Sequence, residues 1–197
     1  MKTHTPFPMP PELLAALAEL PSDHKGDITL AEARRWAHAA HAEVGQTYNG
    51  KPYGEAHLDI VEQAAIDWGF GDDLVLRILC QVHDVGEDTL KTWADMFRAG
   101  FSARVVILAW RLTDEDGIDH GAKKTATLPK VAEDWHSIVG KMCDRRANGR
   151  SSRVNAPSKY HRYCKQYPEF RAHLYDPNDK RLAHCWAELD ELFGYVG

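Results

Sequence analysis

The chain has 197 residues, 44% of them hydrophobic and 27% charged, which suits one globular domain with one sizeable core. Its formal net charge of -5 argues against general nucleic-acid binding by charge alone, but leaves room for a local basic pocket that holds a phosphorylated small molecule. Cys80, Cys143, Cys164 and Cys185 form no CxxC pair, so they read as packed thiols in a reducing compartment.

Residues 1–10 are proline-punctuated, unlike a signal peptide, and read as a loosely held arm. Pro11 opens a short amphipathic helix with Leu13, Leu14, Leu17 and Leu20 on one side. Thr29 followed by Glu32 has the form of a capping box and starts a helix to about Val44. Its apolar positions Leu30, Ala33, Ala37, Ala40 and Val44 keep the spacing of one buried face. Residues 45–56, GQTYNGKPYGEA, form a turn-rich loop. A helix then runs from His57 to about Trp68, glycines at 69 and 71 break it, and Asp72 or Asp73 caps the next one.

That next stretch, residues 74–89, is LVLRILCQVHDVGEDT. Its unbroken apolar run reads as a buried helix. Thr89 marks the following start, with Trp93, Met96 and Phe97 inward, and Ser102 caps the apolar helix ARVVILAWRLT. Its run VVILAW is far short of the roughly 20 residues of a membrane span, so a cytoplasmic protein without membrane contact is expected. Residues 114–128 form a polar, glycine-containing loop, a candidate lid. Pro129 is placed to begin a helix. Residues 130–149 make one helix or two, with Ile138, Val139, Met142 and Ala147 inward. Pro157, Pro168 and Pro177 stand near the starts of three further segments, the last carrying Leu182, Trp186, Leu189 and Phe193 on one face. With no alternating strand run and no repeat, the expected fold is all-α, eight to ten helices in a single domain over 1–197.

The chemistry gathers at the end of the apolar run, in His83, Asp84, Glu87 and Asp88. Buried charges must be paired or bound to metal, and a divalent cation would resolve their cost. Helix neighbours point about 100° apart, so His83 and Asp84 need partners from elsewhere. His57 and Asp144 are candidates. Taken singly, His57 reads equally well as a helix cap or a buried imidazole. Asp144 in KMCDRRANGR reads equally well as an ion pair with Lys141, Arg145, Arg146, Arg150 or Arg153. Their co-occurrence with the HD pair shifts the balance. Two imidazoles and two carboxylates suit manganese or another borderline-hard ion better than structural zinc. Glu87 or Asp88 can relay protons. Lys51, Lys123, Lys124, Lys141, Arg145, Arg146 and Arg150 are candidate phosphate partners.

The segments AHAEVGQTYNGKPYGEAH, HDVGEDT, FRAGFSARVVILAWRLT and KMCDRRANGR together resemble the hydrolase domain of the Rel/Spo alarmone enzymes, an HD-domain helical bundle. The resemblance covers roughly residues 30–155 and is strongest for HDxxEDT and DRxxN. With no room for a synthetase domain, the chain is most similar to the stand-alone small alarmone hydrolases. The resemblance implies Mn2+ held by His57, His83, Asp84 and Asp144. It implies that Glu87 and Asp88 act on the attacking water and the pyrophosphate group. It implies substrate contacts from Tyr48, Lys51, Arg145, Asn148, Arg150 and Tyr160, with Tyr163 competing for the role of Tyr160.

The implied activity is removal of the 3′-pyrophosphate from guanosine tetra- or pentaphosphate. Family hydrolases also serve as antidotes to alarmone or tRNA-pyrophosphorylating synthetases, so a tRNA 3′ end is a possible second substrate. One departure bears on base choice: Tyr48 stands where the family has a guanine-stacking arginine. Alternative readings are an HD-superfamily phosphatase that releases orthophosphate and a non-catalytic nucleotide-binding module.

Overall fold

Side-chain caps from Thr29, Asp73, Thr92, Ser102 and Asp134 set five of the helix starts. The computed structural model describes residues 7–22, 24–115 and 120–196. Residues 7–10 are held rather than loose: the Phe7 N–H donates to Glu133 at 2.6 Å, and Phe7 and Met9 pack on the core. α1 (Pro11–Ala18) begins on its proline, which fits there because that N–H has no helical partner anyway. α2 (Leu30–Glu43) opens on the expected capping box, with the Glu32 carboxylate accepting from the Thr29 N–H at 2.9 Å.

Where a turn-rich loop was expected, the chain makes a small antiparallel hairpin of β1 (Thr47–Tyr48) and β2 (Lys51–Pro52). Its turn is Asn49-Gly50, at φ 52 and 75, the pair that a tight two-residue hairpin favours. The next helix starts earlier than His57: a π-helical turn, Gly54–Leu58, leads directly into α3 (Asp59–Ala65).

α4 (Leu74–Val82) is capped by Asp73 and ends at His83. After a break, α5 (Val85–Asp88) is a single turn. α6 (Trp93–Arg98) starts on a capping box at Thr92 and Asp95, not at Thr89, which instead ends α5. Ser102 caps α7 (Ala103–Leu112) as expected. α8 (His120–Val131) replaces much of the predicted 114–128 loop and carries Pro129 inside its last turns rather than at its start. Residues 116–119 of that predicted lid, and the Lys124 side chain, lie outside the described residues.

α9 (Trp135–Asn155) is one long helix capped by Asp134. α10 (Pro157–Leu174) starts at Pro157 and runs through Pro168, and α11 (Ala183–Phe193) closes the bundle.

The apolar positions of α4 are divided between two cores, while Arg77 and Gln81 carry its polar contacts to Glu62. Leu79 and Val82 pack with Leu58, Phe101, Leu108 and Leu112. Leu76 and Cys80 pack with Val139, Cys143, Phe170 and Trp186. α9 lies close against it: a side chain at Gly140 would meet Leu79 and Leu112 at 3.2 Å. The C-terminal end of α4 and the middle of α9 are thereby fixed side by side. No helix among the described residues is long and apolar enough to cross a membrane.

Candidate metal centre

Four side chains from four places in the chain converge where α4 ends. His57 comes from the π-helical turn, His83 from the residue that caps the C-terminus of α4, Asp84 from the break that follows, and Asp144 from α9. The His57 Nε2 lies 3.4 Å from Asp84 Oδ2 and 3.3 Å from Asp144 Oδ1. The His83 Nε2 lies 3.0 Å and 3.7 Å from the same two atoms. Donors that share an ion at about 2.0–2.2 Å stand roughly 3–3.6 Å from one another, so these separations suit a common cation. Among the described residues, His57, His83 and Asp144 offer ligand atoms that all lie within 4.8 Å of one another. The cluster can hold a divalent metal ion.

The tautomer of His83 supports the same reading. Its Nδ1 donates to the Cys80 carbonyl at 2.8 Å, which leaves Nε2 as the lone-pair nitrogen, the arrangement typical of metal-binding histidines. That Nε2 is buried and has no hydrogen-bond partner. Burial disfavours charge on both imidazoles, yet Asp84 and Asp144 raise His57 above its ordinary value and His83 well above it. The imidazoles in turn hold Asp84 and Asp144 well below the usual carboxylate range, against the cost of burial. A cation would replace the protons on the rings, so its binding releases protons and weakens as pH falls.

Around the four lies a supporting layer, in which Tyr48 and Asn148 were expected from the sequence as substrate contacts and Tyr53 was not singled out. The Tyr53 hydroxyl donates to Asp84. Asn148, one turn beyond Asp144 on α9, donates to Asp144 and accepts from the Tyr48 hydroxyl at 2.9 Å. The Tyr48 ring stacks on His57, with centroids 4.8 Å apart. Asn49 at the hairpin tip donates to Ser151 of α9 at 2.8 Å, so the hairpin holds Tyr48 over the site.

Glu87 and Asp88 follow the cluster on α5, and both are exposed. Gly86 beside them allows α5 to lie close to Trp93, since a Cβ there would come within 2.5 Å of the Trp93 ring. Asp88 accepts from Gln46 at 2.8 Å, and Glu87 accepts from the Asp114 N–H. Glu87 is exposed at its surface, yet the protein packed around its carboxyl removes enough water to push it up to about 7; Lys141 opposes this, and Asp84 and Asp114 add to it.

The folded value lies above the ordinary 4.5. Metal-free folded protein therefore binds the extra proton between those values, and this contribution to stability fades as pH rises through that window. Glu87→Gln removes the effect, so the metal-free variant is expected to resist urea better than wild type at about pH 8. Equal urea midpoints there would contradict the placement of Glu87.

The other sequence candidates divide. Lys51 pairs with Tyr48 across the hairpin and is exposed. Lys141 is buried, with its ammonium 2.9 Å from the Leu112 carbonyl and 3.7 Å from Asp114. Arg145 turns away into the core, its guanidinium over Phe170 and Tyr163 at 4.6 and 5.0 Å. Arg146 and Arg150 lie on another face of α9, both paired with Glu188. Tyr160 donates to the Leu192 carbonyl and stacks on Phe193. Tyr163 is better placed, since the Lys159 ammonium lies 5.7 Å from both its ring and that of Tyr48. The expected phosphate role of Arg145, Arg146 and Arg150 and the expected nucleoside contact of Tyr160 are thus not supported by where these side chains point.

Among solved structures, the chain superposes on a metazoan ortholog of SpoT that hydrolyzes ppGpp and plays a role in starvation responses. The TM-score is 0.67, with 19% identity over 89% of this chain and 96% of that one. The two share a fold. It is all-α among the described residues apart from one two-residue hairpin, as expected from the sequence. No protein-family profile matches the chain, and no curated protein matches it in sequence.

Proposed function

We propose that this protein is a Mn2+-dependent cytoplasmic hydrolase that removes the 3′-pyrophosphate of guanosine tetra- or pentaphosphate, releasing GDP or GTP and pyrophosphate. One observation carries the reading. The His57, His83, Asp84 and Asp144 cluster stands beside Glu87, Asp88 and Asn148, in the fold of a protein that hydrolyzes ppGpp.

A divalent ion held by the four ligands would supply Lewis-acid polarisation of a phosphoryl oxygen. Water attacks the phosphorus bound to the 3′-oxygen and the P–O3′ bond breaks, so the water oxygen leaves in pyrophosphate. The 3′-oxygen departs as the hydroxyl of GDP or GTP. Glu87, with its carboxyl near 7, is matched to accept a proton from water and return it near neutral pH. Asp88, oriented by Gln46, is the second acid on α5. Asn148, Tyr48, Tyr163 and Lys159 are placed to line the nucleoside side, with Lys51 at the rim. Tyr48 offers a ring face where an arginine plane was expected, and aromatic stacking serves a purine base as well.

Product analysis tests the reading. Guanosine tetraphosphate incubated with the protein and Mn2+ is expected to give GDP and pyrophosphate in equal amounts. Release of orthophosphate would instead favour a nucleotide phosphatase, and intact substrate would overturn the hydrolase reading.

A further inference from the structure

His41 is fully buried on α2, is not one of the four converging side chains, and sends contacts to two different functional groups. Its ring stacks on Tyr53, with centroids 4.6 Å apart and planes at 27°, and the Tyr53 hydroxyl donates to Asp84. Its Nδ1 meets the Gln46 side-chain oxygen, and the Gln46 amide donates to Asp88 at 2.8 Å.

The direction of the second arm is forced. An ionised carboxylate only accepts, so the Gln46 nitrogen faces Asp88 and its oxygen faces His41. The His41 Nδ1 must then carry the proton. Burial holds His41 below its ordinary value, against its hydrogen bond to the Gln46 oxygen and the charges of Asp84 and Asp88, so the ring is neutral and keeps a single, fixed tautomer.

We propose that His41 is a positioning residue that sets two groups at once: it braces Asp84 through Tyr53 and aims Asp88 through Gln46. α2 thereby ties the ligand set to the proton-handling acid, so that both hold one relative geometry. The Asp84 arm needs only a cation at the cluster, whereas the Asp88 arm rests on the hydrolase reading above.

The two arms separate by substitution. His41→Phe keeps a ring against Tyr53 and loses the donor to Gln46. His41→Asn keeps a donor in the place of Nδ1 and loses the stack. Mn2+ affinity is measured by isothermal titration of the stripped protein, and kcat and KM are measured on guanosine tetraphosphate at saturating Mn2+. His41→Phe is expected to bind Mn2+ like wild type and to lose about tenfold or more in kcat at unchanged KM. His41→Asn and Tyr53→Phe are expected to weaken Mn2+ binding by about 10- to 100-fold and to recover kcat once Mn2+ is saturating.

A merely structural role would lower both readouts together in His41→Phe and His41→Asn, in step with thermal stability, and that pattern would overturn the proposal. So would wild-type behaviour of both variants in both assays. If wild type binds Mn2+ but leaves guanosine tetraphosphate intact, the substrate reading fails. The brace is then decided by Mn2+ affinity alone, where equal affinities of the two His41 variants would reject it.

Discussion

Glu87→Gln is expected to lower turnover of guanosine tetraphosphate by about 10²–10⁴-fold at saturating Mn2+, with Mn2+ affinity left near that of wild type. Glu87 is not among the four converging ligands and stands three residues beyond Asp84, on the one-turn helix α5. The amide keeps the shape and can still accept the Asp114 N–H that now holds the carboxylate. What it loses is the capacity to take a proton, and that capacity is tuned by desolvation to about 7. A group with this value is half ionised near neutral pH, where proton transfer in both directions is most efficient. Parallel titration and rate measurements separate the outcomes. An equal fall in Mn2+ affinity would make Glu87 a ligand, and unchanged turnover would remove it from the chemistry.

The largest stability effect is expected at Glu62, which is 1% exposed. One carboxylate oxygen accepts from Arg77 Nε at 3.0 Å and Nη2 at 2.8 Å. The other accepts from Arg34 at 2.7 Å and from Gln81 at 2.6 Å. This single carboxylate on α3 therefore joins α2 to α4, the helix that delivers His83. The arginines and Gln81 hold its pKa down although burial pushes it up.

Glu62→Ala leaves the two guanidiniums and the Gln81 amide without their acceptor. Losing one partner of a buried pair costs about 3–5 kcal/mol, and the partial exposure of Arg34 and Arg77 places this case at about 3. For a chain of this size that lowers the melting temperature by roughly 6–12 °C. A loss below about 1 kcal/mol in urea unfolding would show that solvent replaces the network at little cost.

The His83–Asp84 half of the cluster was legible because it rests on a local signature, whereas His57 and Asp144 entered through their co-occurrence with it and the family resemblance. An unbroken apolar run that stops at HDxxED marks the end of a buried helix, and the two helix-breaking features after it, Asp84 and Gly86, place the acids beyond the helix. Asn148 follows Asp144 at i+4 and shares its face by helical period. The same period argues against the arginines. Arg150 is six residues from Asp144, well round the helix, and Arg146 and Arg150 form their own i,i+4 pair, both held by Glu188. Arg145, Arg146 and Arg150 were candidate phosphate partners one by one, but a helix distributes adjacent charges around its axis.

Other features depended on partners distant in sequence. Nothing near Tyr160 reveals that its hydroxyl meets Leu192, and nothing near His41 reveals Tyr53. The hairpin did carry a signal, in Asn49-Gly50, but two-residue strands are too short to show alternation. α8 was hidden by a polar composition and by Pro129, which the helix accommodates near its end.

The most direct test of the account is Mn2+ binding by chelator-stripped protein, followed by isothermal titration for wild type and His83→Ala. His83 contributes the buried, unpartnered Nε2 at the centre of the cluster. One ion per wild-type chain, with binding lost in His83→Ala, is the expected result. A wild-type chain that takes up no divalent ion, or a His83→Ala chain that binds it equally well, would contradict the assignment of this cluster as a metal centre.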